Sequence, residues 1–86
     1  MSISTNKTKI TNVTFDEQKI YIVLSSGDIL TLPYTYTSKI ANADKEDLKS
    51  YYIIGDGIGI HFEKIDEDIS LNGILRYKIN HELLAS

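Results

Sequence analysis

Apolar and polar residues alternate along the first half of the chain, and the alternation gives way to a helical spacing near its end. From Lys9 onward, Thr11, Val13 and Phe15 share one face of an extended segment, and Asp16-Glu17-Gln18 then turns the chain. Ile20, Ile22 and Leu24 follow on one face, with Tyr21 and Val23 on the other. Apolar groups on both sides predict a central strand that is covered twice. Ser25-Ser26-Gly27-Asp28 reads as a hairpin turn, because Gly27 can take the positive φ that a tight reversal needs. Ile29 to Leu32 form a third strand, closed by Pro33, which has no amide to give to a ladder. The first third is therefore an antiparallel meander of three strands.

The middle is less regular. Tyrosine and threonine alternate over residues 34–37, which suits an extension of strand three, whereas Ile40 and Ala41 suit a short helical turn. Asp44 reads as an N-cap, with acids in the first turn and Lys49 near the end, so a short helix over residues 45–50 shows Leu48 to the core. Tyr51 to Ile54 make a fourth strand that turns at Gly55-Asp56-Gly57 into a fifth over residues 58–62. The period of two predicts Ile58, Ile60 and Phe62 buried, with Gly57, Gly59 and His61 facing the other way. Asp66-Glu67-Asp68 reads as an acidic turn. Beyond it Leu71, Ile74, Leu75, Ile79 and Leu83 recur at helical spacing, with Asp68 or Ser70 available as the cap and Gly73 weakening the first turns. The fold class is α+β: a small antiparallel sheet (three-strand meander plus a strand pair) with a short middle helix and a C-terminal helix. Residues 1–8 are expected to be a flexible arm, and residues 9–86 a single domain.

Composition narrows the chemistry. Eighty-six residues, 42% of them hydrophobic and 24% charged, allow one core and no second domain. There is no cysteine, so disulfides and thiolate chemistry are excluded. No segment approaches the length of a membrane span and the N-terminus is not signal-like, which points to a cytoplasmic protein with no membrane contact. The net charge is −3, and Arg76 is the one arginine among nine basic residues. Nucleic-acid binding needs a clustered basic face, so it is not expected of this chain alone.

Several residues could carry chemistry. Gly55, Gly57 and Gly59 resemble a phosphate-cradling row, but they run into a strand rather than a helix N-terminus, and no Lys-Ser/Thr follows. Close packing of a helix or another subunit over a face without side chains is the simpler reading. His61 with the acids downstream offers metal-ligand chemistry without a recognised spacing. A hydrogen bond from His61 to the acidic turn, fixing strand against helix, needs no metal. Asp66 and Asp68 could serve as an acid–base pair, though a turn plus a cap explains them as well. No serine, histidine and acid fall in a nucleophile arrangement. Six tyrosines stand at 21, 34, 36, 51, 52 and 77, and Tyr34 and Tyr36 in the irregular segment hint at a contact surface. The candidate binding surface is therefore Gly57, Gly59, His61, Asp66, Asp68, Tyr34 and Tyr36, with no cofactor and no metal.

At Ile40-Ala41-Asn42-Ala43-Asp44-Lys45-Glu46-Asp47-Leu48 and at Gly57-Ile58-Gly59-Ile60-His61-Phe62-Glu63-Lys64-Ile65-Asp66-Glu67-Asp68-Ile69-Ser70, the chain resembles the prokaryotic domain of unknown function 2442 family. The resemblance spans roughly residues 10 to 76, and the second block is the more specific. Phe62 stands where the family usually has tryptophan, and Glu63 where it has proline. The family's phenylalanine-proline-arginine-leucine segment is replaced by Tyr36-Thr37-Ser38-Lys39-Ile40, so any role of that arginine is lost. The resemblance implies a small α+β fold and brings no catalytic residue. Such proteins occur beside a second small protein or fused to a DNA-binding helix-turn-helix, which implies antitoxin-like or regulatory roles.

Together these features lead to a non-catalytic protein-interaction module, a regulator or antitoxin-like partner of another protein encoded nearby. The alternative is a homo-oligomer that binds and sequesters a nucleotide-like ligand near the glycine row. A third reading, a hydrolase or metal enzyme around His61 and Asp66, has the least behind it. Apolar groups on both sheet faces also predict a homo-oligomer, because pairing would cover the second face.

Overall fold

Two three-stranded antiparallel sheets enclose one core in the computed structural model, which describes residues 8–83, apart from the side chains of residues 82 and 83. The first sheet is the predicted meander, with β1 (Ile10–Phe15), β2 (Lys19–Leu24) and β3 (Ile29–Pro33) in that order. Gly27 turns the second hairpin at φ +93°, as its position predicts. At the first hairpin, the Asp16 carboxylate accepts the amides of Gln18 and Lys19, each at 2.7 Å. Of the expected arm, residues 1–7 lie outside the described residues, while Thr8 is buried.

Two expectations for this sheet need correction. Val13 and Phe15 share the inward face as expected, but Thr11 does not. Ile10 pairs with Leu24 and Asn12 with Val23, so Thr11 is the extra residue of a bulge. The bulge turns both Ile10 and Val13 inward and leaves Thr11 exposed. β2 is central, but it is covered on one face: Ile20, Ile22 and Leu24 are buried, whereas Tyr21 and Val23 are half-buried.

After β3 the chain winds rather than extends. Tyr34–Tyr36 form a 3-10 turn, and the Thr37 hydroxyl caps α1 (Ser38–Ala41) by accepting the Ile40 amide at 3.2 Å. α2 is shorter than expected, Lys45–Leu48, and buries Leu48 completely. Asp44 occupies the N-cap position with an extended backbone, but its side chain makes no capping bond.

The second sheet contains β4 (Tyr51–Ile54), β5 (Gly59–Phe62) and β6 (Glu67–Ser70), with β5 in the middle. β6 was not expected. A 3-10 turn at Glu63–Ile65 and the left-handed Asp66 (φ +51°) reverse the chain, so Glu67 and Asp68 already belong to a strand. The predicted strand pair thus gains a third member, whose inward residue is Ile69. Between β4 and β5, Gly55, Asp56 and Gly57 all take positive φ (59°, 61° and 102°), and the turn includes Ile58. Ile58 is therefore 54% exposed, against expectation, while Ile60 and Phe62 are fully buried as predicted.

α3 (Leu71–Lys78) is capped by Ser70, whose hydroxyl accepts the Gly73 amide at 2.9 Å; Asp68 lies too far back, within β6. Leu71 and Ile74 are buried and Leu75 packs beside them. At Ile79 the helix widens into a π turn (Ile79–Leu83), the 3.6-residue period ends, and Ile79 is exposed. The contact expected of the Leu83 side chain lies outside the described residues.

Ile20, Ile22 and Leu32 of the first sheet meet Ile60, Phe62 and Ile69 of the second in a common core, which Ile40, Leu48 and Ile74 complete from the helices. The two sheets are tied directly: the Ile10 amide donates to the Gly57 carbonyl at 2.8 Å, and the Tyr51 hydroxyl donates to the Val13 carbonyl at 3.2 Å. Among the described residues, no helix is long and apolar enough to cross a membrane.

Candidate functional site

Strand register builds the outer face of the second sheet. Tyr52 stands opposite His61, and His61 opposite Asp68, so the three form a row across β4, β5 and β6. Ile54, Gly59 and Ser70 form the next row. The alternate residues Ile60, Phe62 and Ile69 point into the core, which leaves these two rows on the outer side. His61 Nδ1 lies 2.5 Å from Asp68 Oδ1, with side chains 30% and 69% exposed. The expected bond from the histidine to a downstream acid exists, but it fastens strand to strand rather than strand to helix. The Tyr52 hydroxyl donates to Glu63 Oε2 at 3.4 Å. Ser70, in the second row, uses its hydroxyl to cap α3.

Large apolar groups stand in and beside these rows. Tyr52 is 54% exposed and Ile54 39%, on alternate positions of β4, and Ile58 projects from the adjoining turn. None of the three was singled out as a surface residue from the sequence. The Tyr51-Tyr52-Ile53-Ile54 run held the signal, because four consecutive large residues on an edge strand must place two outside.

The remaining candidates are dispersed. A Cβ on Gly57 would fall 2.7 Å from Lys9 Cβ and 3.1 Å from the Ile10 carbonyl oxygen. A Cβ on Gly59 would fall 3.0 Å from the Ile69 carbonyl oxygen and 3.3 Å from Ile54 Cγ1. The glycines are covered by the chain's own strands, not by the closing helix, and Gly57 and Gly59 are both buried. Asp66 lies in the turn before β6, where its carbonyl accepts the Lys39 ammonium at 2.9 Å.

The tyrosines of the irregular segment serve elsewhere. Tyr36 meets Tyr77 edge to face with centroids 4.9 Å apart, and Tyr77 in turn stacks on His81 at 4.1 Å. Burial, then the neighbouring Tyr77 and Glu67, push the Tyr36 hydroxyl pKa up. Tyr34 donates its hydroxyl to the Asp16 carbonyl at 2.5 Å, and the Lys45 ammonium sits 4.7 Å above its ring. Tyr34 lines an open cavity of about 290 Å³ with Phe15, Asp16, Glu17, Lys45, Glu46 and Lys49. The Lys49 ammonium is held above its usual range by its 2.7 Å bond to Glu46. Thus Gly59, His61 and Asp68 come together, with Gly57 at the edge of the same sheet, while Asp66, Tyr34 and Tyr36 belong to other places. Among the described residues, no three histidine or carboxylate groups converge as a metal site requires.

The family model for proteins of unknown function DUF2442 matches residues 10–80. The chain belongs to the DUF2442 family. Two solved structures share this fold, both at 24% identity. One is a crystal structure of a protein of unknown function from Rhodospirillum rubrum, with a TM-score of 0.76 over 84% of this chain and 89% of that one. The other is a solution structure of an uncharacterised protein from Chromobacterium violaceum, with a TM-score of 0.71 over 91% of this chain and 79% of that one. No curated protein matches the chain. The Glu63 amide donates to the Ser50 carbonyl at 3.2 Å, a bond that a proline at this position could not make.

Proposed function

We propose that this DUF2442 domain is a non-catalytic protein-interaction module, a regulator or antitoxin-like partner protein acting in the cytoplasm, and that it binds through the outer face of its second sheet. The observation that carries this reading is the exposure of Tyr52 and Ile54, which stand in the same row as the His61–Asp68 pair and in the row next to it. A tyrosine and an isoleucine on alternate positions of a sheet strand offer large contact area at little ordering cost, which is the make-up of an interface centre. The His61–Asp68 bond, and the bond from Tyr52 to Glu63, hold polar side chains of that face in place before any partner arrives.

The alternative, a homo-oligomer sequestering a nucleotide-like ligand at the glycine row, requires an opening there. Gly57 and Gly59 instead lie against backbone and side chains of the same chain, so this reading has less support.

The deciding experiment is affinity purification of the full chain from its source cell, followed by reconstitution with the purified partner. A defined complex is expected, in which the Tyr52 to Ile54 amides gain protection from hydrogen exchange. Tyr52→Arg and Ile54→Arg should abolish the complex while the variants keep their melting temperatures. A complex that forms equally well with both variants would refute the assignment to this face.

A further inference from the structure

The outer face of the second sheet has a charge pattern as well as an apolar centre. Asp56 stands in the turn between Ile54 and Ile58, Glu63 bonds Tyr52 at the end of β5, and Asp68 flanks His61. From Tyr51 to Glu63, and again through β6, there is no lysine or arginine. Lys64 and Lys9 stand only at the margins, Lys64 in the turn after β5 and Lys9 with its Cβ over Gly57. Glu63 and Asp68 thus border the apolar surface, Asp68 paired with His61, and the three strands of this sheet place no lysine or arginine beside them.

We infer that the occupant of this face is a protein segment presenting aliphatic or aromatic side chains flanked by lysine or arginine, an inference that rests on the interaction reading above. Docking removes water from the apolar centre and strengthens every charge interaction at its border. A basic flank then gives the remaining oxygens of Glu63 and Asp68 charge-assisted hydrogen bonds. A neutral partner leaves them only the Tyr52 and His61 bonds they already have. A second copy of this chain, itself at net charge −3, brings the same carboxylates against one another.

The test immobilises the full chain and selects from phage-displayed random dodecapeptides. The expected result is enrichment of peptides in which lysine or arginine flanks large apolar residues, with binding that weakens as salt is raised. Glu63→Lys combined with Asp68→Lys should weaken those peptides by about tenfold or more and select acidic peptides instead. Ile54→Arg and, as a second variant, Tyr52→Arg should lose all the selected peptides, with circular dichroism and melting curves confirming that each variant is folded. Loss in Ile54→Arg without any basic preference, or indifference to the charge reversal, would overturn the inference and leave the face assignment standing. Equal binding to the wild type, Ile54→Arg and Tyr52→Arg would overturn both. A failure to enrich any peptide, or a stable homodimer broken by Ile54→Arg, would overturn the basic-partner inference.

Discussion

Gly59 lies so close beneath Ile69 that a Cβ on the glycine would meet the Ile69 carbonyl oxygen at 3.0 Å. The obstacle is backbone of the adjacent strand, so it cannot swing aside as a side chain would. Gly59→Val should therefore destabilise the fold by about 1–3 kcal/mol, the usual cost of overpacking. Urea denaturation measures the loss. No nucleotide should raise the melting temperature of the unmodified chain, because the row offers no opening. A thermal shift with one nucleotide, removed by Gly59→Val, would favour the sequestering reading instead.

Ile58 and Ile60 are two residues apart and have opposite fates, one 54% exposed and the other fully buried. Ile60→Ala leaves a cavity beside Phe62 and should cost about 2–5 kcal/mol. Ile58→Ala should change stability by less than about 0.5 kcal/mol, as surface substitutions do. Equal losses in the two variants would mean that Ile58 is covered in solution, which a homo-oligomer would explain.

The meander is legible in the sequence because its alternation and its turn residues agree. Gly27 and Pro33 stand where the reversals fall, and Ile20, Ile22 and Leu24 have a single consistent face. The bulge is not legible, since Thr11 is a good strand residue and only the pairing of Ile10 with Leu24 forces it out of register. β6 is hidden for another reason. Its residues Glu67, Asp68, Ile69 and Ser70 include three of turn or cap character and a single apolar one, and the strand exists because β5 offers it a free edge. The site divides in the same way. The chemistry linking His61 to a downstream acid follows from residue type, but which acid follows from register alone. Tyr34 and Tyr36 take no part in the His61 row, because they bond and stack with Asp16 and Tyr77 instead.

Ser70 and Asp44 hold the same formal position at the start of a helix, yet only Ser70 makes a capping bond. Ser70→Ala should cost about 0.5–2 kcal/mol, since the Gly73 amide loses its acceptor. Asp44→Ala should cost clearly less, contrary to the roughly 1 kcal/mol that its sequence position suggests. Chemical denaturation of the two variants side by side checks the order, and a larger loss for Asp44→Ala would show that its carboxylate caps α2 in solution.

The first hairpin should make stability depend on acid. The Tyr21 hydroxyl donates to the Asp16 carboxylate at 2.5 Å, and the Gln18 and Lys19 amides add two further bonds. These bonds, the one from Tyr21 foremost, hold the Asp16 carboxyl below its ordinary range in the folded chain. The unfolded chain has none of them, so there the carboxyl titrates normally. A depressed folded value means that the stabilisation is complete above the unfolded value and vanishes as pH falls through the folded one. Asp16→Asn should accordingly be less stable than the wild type near neutrality, and the gap should close as pH falls from the ordinary carboxylate range through the depressed folded value. Tyr21→Phe, which removes the largest single cause, should shift the acid limb of the wild-type curve to higher pH. Urea midpoints collected across that range decide the matter: a gap between the wild type and Asp16→Asn that stays constant down to the lowest pH would show that the carboxylate charge contributes nothing.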